Sequence, residues 1–292
     1  MDNILTLHRD LANHTYRQGS YQAFNVSDPK PRNIHKATVR DRLLHHAIHR
    51  KLYPFFDRIF IADVFSCRIG KGMHKAIDRF RSFAYVVSKN HTKTCWTLKC
   101  DVRRFFASID HGTLFKILEQ YIRDKEILWL IDELIRSFEV KPGTGLPLGN
   151  LTSQLLVNVY MNEFDRHMKH TLKVKHYIRY ADDVIVLFDN KKWLEELKRP
   201  ITEFLRNTLK LKLHPDKTRI KTIASGVDYL GWVHFPDHRV LRTATKRRML
   251  KRIAEQHVPE TLNSYMGMLS HGNSQKIRKK IATEFPYLMV RT

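Results

Sequence analysis

The sequence predicts an α+β fold in which an antiparallel sheet carries helices on one face. The predicted elements run β–α–α–loop–α–ββ–α–β–β, without the regular strand–helix alternation of a doubly wound protein. Between residues 177 and 188, two β-rich apolar runs flank a short polar insert, a pattern typical of a hairpin. With 292 residues and 42% hydrophobic content, the chain can form one large domain or two to three subdomains with a core.

The first part of the chain is predicted to be mostly helical. Residues 1–20 read as a short helical lead-in, and alternation predicts a strand at 21–26. Residues 41–56 carry apolar side chains on one helical face, with Pro54 expected near the end of that helix. A basic loop bracketed by glycines at 66–74 opens the next helix but lacks the Walker A spacing. A helix N-terminus behind such a loop favours a phosphate.

A strand that ends in an aspartate is predicted at residues 96–101. Strand alternation puts Lys99 and Asp101 on its polar face, because neighbouring side chains point to opposite sides. Asp110 is then expected to be the N-cap of one helix, and residues 125–138 form a second helix.

The second half begins with a Gly/Pro loop at residues 143–150, which precedes a long helix. Thr152 or Ser153 is expected to cap that helix. After the hairpin we predict a helix at 193–210, a turn into a strand at 211–218, one strand with a central glycine at 227–233, and basic helices from about 237.

The charge of the chain points to a polyanionic partner. Its 52 Lys and Arg residues against 29 Asp and Glu residues give a formal net charge of +23, and they are spread along the sequence. A folded surface this basic most often binds nucleic acid. An anionic membrane surface or simple solubility are the alternatives, and neither requires the carboxylates described below.

The cysteines, histidines and N-terminus exclude several other classes. Cys67, Cys95 and Cys100 are too few for a zinc site or a disulfide framework and are interpreted as buried thiols in a reducing cytosol. His45 and His49 are interpreted as surface or nucleic-acid-facing residues. No signal peptide and no uncharged stretch of about 18 residues is found, so a cytoplasmic protein without a membrane span is expected.

Three aspartates are the candidate catalytic and metal-binding residues. The adjacent carboxylates of Asp182 and Asp183 repel one another at the predicted turn, and a divalent cation is the usual remedy. A surface β-turn is the alternative interpretation. Asp101 could meet the pair on one sheet, although 81 residues separate Asp101 from Asp182. Such a cluster can hold two Mg²⁺ ions about 3.5–4 Å apart.

Taken together, these segments resemble a reverse transcriptase from about residue 20 to the end. The fingers segment is represented by Lys30, Pro31, Arg32 and the helix from Asp41. Five further motifs follow in register: the first catalytic motif at 101–106, the template- and nucleotide-positioning motif at 146–154, Tyr-x-Asp-Asp at 180–183, the lysine motif at 214–218 and the primer grip at 229–232.

The resemblance implies a right-hand polymerase with fingers, a palm built on an antiparallel sheet, and a short helical thumb. Its expected limits are 1–92 for the N-terminal fingers, 93–111 for the first palm strand, 112–145 for fingers and palm helices, 146–235 for the palm and 236–292 for the thumb. It also implies a template RNA, a DNA or RNA primer, the cDNA product, dNTPs and two Mg²⁺ ions, with Mn²⁺ as an alternative.

The charged residues then acquire expected roles. Asp101 and Asp182 would bridge the two metal ions, with Asp183 more peripheral. Lys217 would protonate the leaving pyrophosphate. Lys30 and Arg32 would neutralise the triphosphate.

The remaining motif residues are expected to position substrates. In the family, the position of Phe106 carries the bulky side chain that lies under the sugar and selects dNTPs over rNTPs, whereas a plain core residue is the alternative. Further substrate-binding residues are expected at Leu148, Gly149, Gln154 and Tyr180. The primer grip would comprise Tyr229, Leu230 and Gly231.

Within the family, the chain looks most like the reverse transcriptases of diversity-generating retroelements. Many reverse transcriptases have Gln at the position of Leu148 and Pro at that of Gln154, and residues 264–271 also look like that group. The resemblance implies low fidelity opposite template adenines, a basic accessory protein, and a prokaryotic or phage-encoded origin.

Other interpretations stay open at this point. A retron, a group II intron-like enzyme or a phage-defence polymerase would use the same chemistry. A non-catalytic RNA-binding scaffold on the same fold would explain the charge but not the three aspartates. A two-metal nuclease is disfavoured because it needs no Tyr-x-Asp-Asp hairpin beside a residue such as Phe106.

Overall fold

A computed structural model of the chain describes residues 2–27, 31–256 and 258–286. These residues divide into two compact units. The first unit comprises Met1–Ala76, Leu98–Val186 and Lys192–Arg219, and the second comprises Ile77–Thr97, Leu187–Lys191 and Ile220–Thr292.

The described residues form ten α-helices and nine strands. The helices are α1 (Asp2–Ala12), α2 (Val39–Ile59), α3 (Met73–Val87), α4 (His111–Tyr121), α5 (Lys125–Arg136), α6 (Leu151–Arg166), α7 (Lys191–Asn207), α8 (Thr243–Gln256), α9 (Pro259–Leu269) and α10 (Gln275–Glu284). The strands are β1 (Gln22–Val26), β2 (Arg32–Lys36), β3 (Trp96–Asp101), β4 (Tyr177–Tyr180), β5 (Asp183–Phe188), β6 (Arg219–Thr222), β7 (Val227–Tyr229), β8 (Trp232–His234) and β9 (Arg239–Leu241).

The strands form three sheets. Strands β1 and β2 form an antiparallel ribbon, and β4, β5, β3 and β6 form a four-stranded sheet in that order. A three-stranded sheet has the order β7–β8–β9. The predicted hairpin at residues 177–188 is therefore confirmed, and the predicted strand at 96–101 is its neighbour in the sheet.

Helix α6 lies at the centre of the first unit. It packs against α2 and α4, and twelve of its sixteen residues are buried. A helix that is buried on nearly every side must satisfy its polar side chains internally. Asn158 illustrates this, because its amide donates a hydrogen bond to the backbone oxygen of Ser66 over 2.9 Å.

The helix caps agree with the sequence at one site and differ at another. As predicted, the Asp110 side chain caps α4, accepting a hydrogen bond from the backbone of Thr113. The prediction that Thr152 or Ser153 caps α6 is wrong, because both are buried inside the helix. Asn150 occupies the cap position instead, and its amide donates to the backbone oxygen of His35.

The single strand predicted at 227–233 is also wrong. Strands β7 and β8 pair as a hairpin, with Tyr229 opposite Trp232. The turn consists of Leu230 and Gly231, whose φ angles are +48° and +85°. Two left-handed residues make the tight turn that suits the twist of a hairpin. Strand β9 follows, so the chain becomes helical only from Thr243.

The predicted exposure of His45 and the predicted burial of Cys67 are both wrong as well. His45 is buried, its Nδ1 shares a hydrogen bond with the Thr152 hydroxyl, and burial lowers its pKa to about 4. Next to it, the buried carboxylate of Asp41 accepts hydrogen bonds from Tyr16 and Thr38. Cys67 is exposed rather than buried. The hydrogen bonds of Asp41 and His45 therefore join the start of α2 to the start of α6.

No helix in the described part of the chain combines the length and the apolar character needed to cross a membrane.

Candidate active site

The tip of the β4–β5 hairpin presents adjacent carboxylates. Tyr180 pairs with Asp183, so Ala181 and Asp182 form a two-residue turn. Ala181 has a φ of +53°, which is uncommon for a residue with a side chain. The tight turn holds the carboxylates of Asp182 and Asp183 next to each other at the end of the strands.

The end of β3 brings a third carboxylate to the same place. Strand β3 lies beside β5, and Asp101 is its last residue. The pKa of Asp182 is raised to about 6, first by burial and then by the negative charges of Asp183 and Asp101. The positive charge of Lys217 opposes this rise. The structure therefore places Asp101 and Asp183 close enough to Asp182 for their charges to act on its carboxylate.

Two lysines flank this group. The Nζ atom of Lys217 donates a hydrogen bond to Asp101 Oδ1 over 2.8 Å, and Lys99 Nζ lies 3.3 Å from Asp183 Oδ1. The backbone positions Lys217, because His214 N–H donates to the Asp101 carbonyl over 2.7 Å and Lys217 N–H donates to the His214 carbonyl over 3.2 Å. Each lysine compensates one carboxylate, and Asp182 receives no such ion pair among the described residues.

The donor set fits a hard divalent cation. Mg²⁺ prefers carboxylate oxygens, and the three aspartates supply them at one end of the sheet. Asp183 Oδ1 is buried and accepts no hydrogen bond from any described residue, but its ion pair with Lys99 means that a cation would compete with that ammonium group for this oxygen. Among the described residues, no three His, Cys, Asp or Glu side chains lie close enough together to hold a metal ion. A bound ion would draw the carboxylates together by opposing their repulsion.

The segment from residue 146 to 150 is anchored on β2 of the first unit. The backbone of Leu148 accepts a hydrogen bond from His35 N–H over 2.9 Å. Gly149 has a φ of +110°, and a Cβ atom there would lie 2.6 Å from Ile34 Cγ2. The close approach requires glycine at this position.

Replacing Gly149 with alanine is expected to destabilise the first unit. The added methyl group would clash with Ile34, and the backbone conformation is strained for any residue with a Cβ atom. We expect the free energy of unfolding to fall by about 1–3 kcal/mol, measured by chemical denaturation. Gly143→Ala is the matched control, since Gly143 also has positive φ but nothing lies within 4 Å of its Cβ position. Equal losses for the two variants would contradict a role for the Ile34 contact.

The other predicted substrate residues occupy varied environments. Phe106 is partly buried, packs edge-on against Phe105 with ring centroids 5.6 Å apart, and accepts a hydrogen bond from Leu146 N–H through its carbonyl. Gln154 is partly buried on α6, and Arg32 is exposed at the start of β2. Lys30 lies outside the described residues.

Tyr180 is partly buried beside the aspartate turn. Burial raises the pKa of its hydroxyl, and the nearby Cys67 thiol adds to the rise.

The sequence as a whole decides the family. Residues 26–234 match the family model described as reverse transcriptase (RNA-dependent DNA polymerase), which is well over half of the chain. The chain belongs to the reverse transcriptase family. This assignment confirms the resemblance inferred from the motifs, at the level of the family.

Curated proteins similar to this reverse transcriptase include bacterial members. Protein YkfC of Escherichia coli is 24% identical over 75% of this chain and 66% of its own length. The group II intron-encoded protein LtrA of Lactococcus lactis is 22% identical over 88% of this chain and 53% of its own length. The chain thus spans about half to two thirds of the length of these relatives.

Solved structures support the same fold. Telomerase from Candida albicans, in complex with a fragment of telomeric RNA, matches 94% of this chain and 55% of its own at a TM-score of 0.59 and 12% identity. Telomerase from Candida tropicalis matches 96% of this chain and 58% of its own at a TM-score of 0.58 and 9% identity. The predicted right-hand polymerase fold is therefore confirmed.

The predicted primer grip of the reverse transcriptase belongs to the second unit. Tyr229 is fully buried, and its ring centroid lies 5.6 Å from that of Phe80 on α3. Leu230 and Gly231 form the tip of the β7–β8 hairpin. The aspartates belong to the first unit. The role of this hairpin with primer stays a prediction.

Sequence reasoning missed three polar residues around the aspartates of the reverse transcriptase. Lys99 had a signal, because it shares a strand face with Asp101. Arg179 also had one, being a charged residue inside an otherwise apolar strand. Its partner Asp165 had none, since nothing in the sequence distinguishes it from the other polar residues of a helix.

Proposed function

We propose that this reverse transcriptase is an error-prone RNA-directed DNA polymerase that copies the template RNA of a diversity-generating retroelement into cDNA. The polymerase part rests on one observation, the electrostatic grouping of Asp101, Asp182 and Asp183 beside Lys217. Its partners would be the template RNA, a DNA or RNA primer, dNTPs and a basic accessory protein. The subdomain limits given above, from fingers to thumb, belong to the same proposal.

The residues of the site suit nucleotidyl transfer. Two Mg²⁺ ions, or Mn²⁺, would activate the primer 3′-hydroxyl and stabilise the charge of the triphosphate. Asp101 and Asp182 would hold them, and Asp183, which is paired with Lys99, would be peripheral. Lys217 is 45% exposed and hydrogen-bonded to Asp101, which supports the proposal that its ammonium group protonates the leaving pyrophosphate.

The sugar and the base would be positioned by neutral residues. Phe106 supplies a bulky ring, partly buried and backed by Phe105, against which a 2′-hydroxyl would clash. Leu148 stands where a hydrogen-bonding side chain is common in the family. A leucine side chain forms no hydrogen bonds, so its contacts would discriminate less between correct and incorrect pairs. This is the basis for proposing low fidelity.

Primer extension tests the polymerase function. We expect purified protein to extend a primer on an RNA template with Mg²⁺ and dNTPs, and the Asp182→Ala/Asp183→Ala variant to lose this activity. If purified protein alone gives no extension, the reaction is repeated with the native transcript and the accessory protein. If extension fails in both formats, a non-catalytic RNA-binding protein on this fold becomes the better conclusion.

Sequencing of the extension products tests the mutagenic part. Errors concentrated opposite template adenines are expected, and Leu148→Gln is expected to reduce them by about tenfold, because hydrogen-bonded contacts sharpen discrimination. Leu148→Met, which adds no hydrogen-bonding group, is the matched control. An unchanged error spectrum in Leu148→Gln would remove Leu148 as a fidelity determinant.

A second candidate function is favoured by one comparison. The intron-encoded relative from Lactococcus lactis aligns with 88% of this chain. Accurate extension products would therefore support an intron, retron or defence role for the same polymerase chemistry.

A further inference from the structure

The aspartate turn is braced from behind by a fully buried ion pair. The guanidinium of Arg179 and the carboxylate of Asp165 are both 0% exposed. Arg179 Nε donates to Asp165 Oδ1 over 2.8 Å, and Arg179 Nη2 donates to Asp165 Oδ2 over 2.7 Å. This two-bond arrangement fixes the plane of the guanidinium against α6.

The third nitrogen of the same guanidinium reaches the turn itself. Arg179 Nη1 donates to the backbone oxygen of Ala181 over 3.1 Å and to Asn158 Oδ1 over 3.1 Å. The Ala181 carbonyl belongs to the peptide that links Ala181 to Asp182. Because a peptide is planar, holding this oxygen sets the direction of the bond from the Asp182 nitrogen to its Cα atom.

The backbone of Arg179 is held as firmly as its side chain. Its N–H donates to the Asp63 carbonyl over 3.0 Å, and its own carbonyl accepts from Phe65 N–H over 3.1 Å. The hydroxyl of Tyr177 also donates to Asp165 Oδ1 over 2.6 Å. Arg179 therefore has few ways to move independently of α6 and of the segment around Asp63.

Fold stability gives no reason for a charged pair at this place. Burying two charges costs desolvation energy, and well-packed apolar residues of similar volume are often as stabilising or more so. Strand β4 otherwise has buried apolar neighbours that such residues would suit. An apolar pair would lack the hydrogen bonds to the Ala181 carbonyl, to Asn158 Oδ1 and from the Tyr177 hydroxyl, and only the first of these reaches the aspartate turn.

We propose that Arg179, oriented by Asp165, is a positioning residue that fixes the direction of the Asp182 carboxylate through the Ala181–Asp182 peptide. The inference rests on the proposed polymerase function for its kinetic readout. Arginine is required because one side chain must hold both Asp165 oxygens and still reach the turn. A lysine ammonium has no planar fork and does not satisfy all of these acceptors.

The main test removes both charges and keeps the volume, in the variant Arg179→Met/Asp165→Leu. We expect it to fold, and the maximal rate of single-nucleotide addition to fall about 100-fold, the cost of a misplaced catalytic group. The dNTP concentration that gives half of the maximal rate should change little, since Arg179 lies behind the aspartate turn. Mn²⁺ binding, measured by the electron paramagnetic resonance signal of free Mn²⁺, should weaken in parallel.

Two further variants separate positioning from packing. Tyr177→Phe removes one hydrogen bond to Asp165 but keeps both Arg179–Asp165 bonds and the bond from Arg179 to the Ala181 carbonyl, so its rate should stay near that of the unaltered protein. Arg179→Lys keeps a positive charge beside Asp165 and should still lose rate, which tests the proposal even where the double variant does not fold.

The proposal is overturned if folded Arg179→Met/Asp165→Leu keeps both its rate and its Mn²⁺ affinity, or if Tyr177→Phe loses as much rate as Arg179→Lys. An unaltered protein that extends no primer would instead contradict the proposed function. In that case the Mn²⁺ measurement still decides whether Arg179 positions Asp182.

Discussion

Asp182→Asn is expected to reduce primer extension by about 1,000-fold or more, because a carboxylate in the proposed metal-binding role would contribute several kcal/mol to transition-state stabilisation. Asparagine has nearly the same shape as aspartate, so the turn at Ala181 can persist. The measurement is the rate of single-nucleotide addition on an RNA template with Mg²⁺. A rate within tenfold of the unaltered protein would contradict the proposed role of Asp182.

The same substitution is expected to stabilise the metal-free protein. The pKa of Asp182 is raised to about 6 from an ordinary value of 3.8, mainly by burial and then by Asp183 and Asp101. The folded state therefore disfavours the charged carboxylate, and stability falls as pH rises from about 4 through about 6. Asparagine avoids this loss, which has an upper bound of about 3 kcal/mol.

Thermal unfolding in the absence of divalent ions tests whether Asp182→Asn stabilises the protein. Asp182→Asn should melt higher than the unaltered protein at about pH 8, and the difference should shrink towards about pH 4. Mg²⁺ should reduce the difference in melting temperature at the higher pH, because it should stabilise only the protein that retains Asp182. Asp189→Asn, at an exposed position just after β5, is the matched control and should show neither effect.

Phe106→Ala is expected to admit ribonucleotides. The ring is partly buried and supported by Phe105, in a short turn whose backbone is tied to Leu146. Removing it would relieve the clash with a 2′-hydroxyl, and steric discrimination of this kind is worth about 10- to 200-fold. The measurement is the ratio of kcat/KM for dNTP to kcat/KM for rNTP, in which general damage to the enzyme cancels.

The control for Phe106→Ala keeps an aromatic ring at position 106. Phe106→Tyr should retain discrimination, because the ring remains in place. If Phe106→Ala leaves the ratio unchanged while lowering stability, Phe106 is a core residue, as the alternative interpretation of the sequence holds.

Much of the site could be predicted because its signals are local. The hairpin at 177–188, the strand ending in Asp101 and the Asp110 cap each depend on a few neighbouring residues. The errors arose where local signals were ambiguous. An alternating run with a glycine fits both one strand and a hairpin, and only the positive φ of Leu230 and Gly231 decides for the hairpin.

By itself, the sequence determined the class of fold and the family and indicated the three aspartates as candidates, because periodicity and residue order are properties of the chain. Only the tertiary structure decided the partners of these residues. Lys217 meets Asp101 across 116 positions, and Arg179 meets Asp165 across 14. Such pairs depend on how strands and helices pack, and packing, unlike local backbone preference, leaves no periodic mark on the residues that it joins.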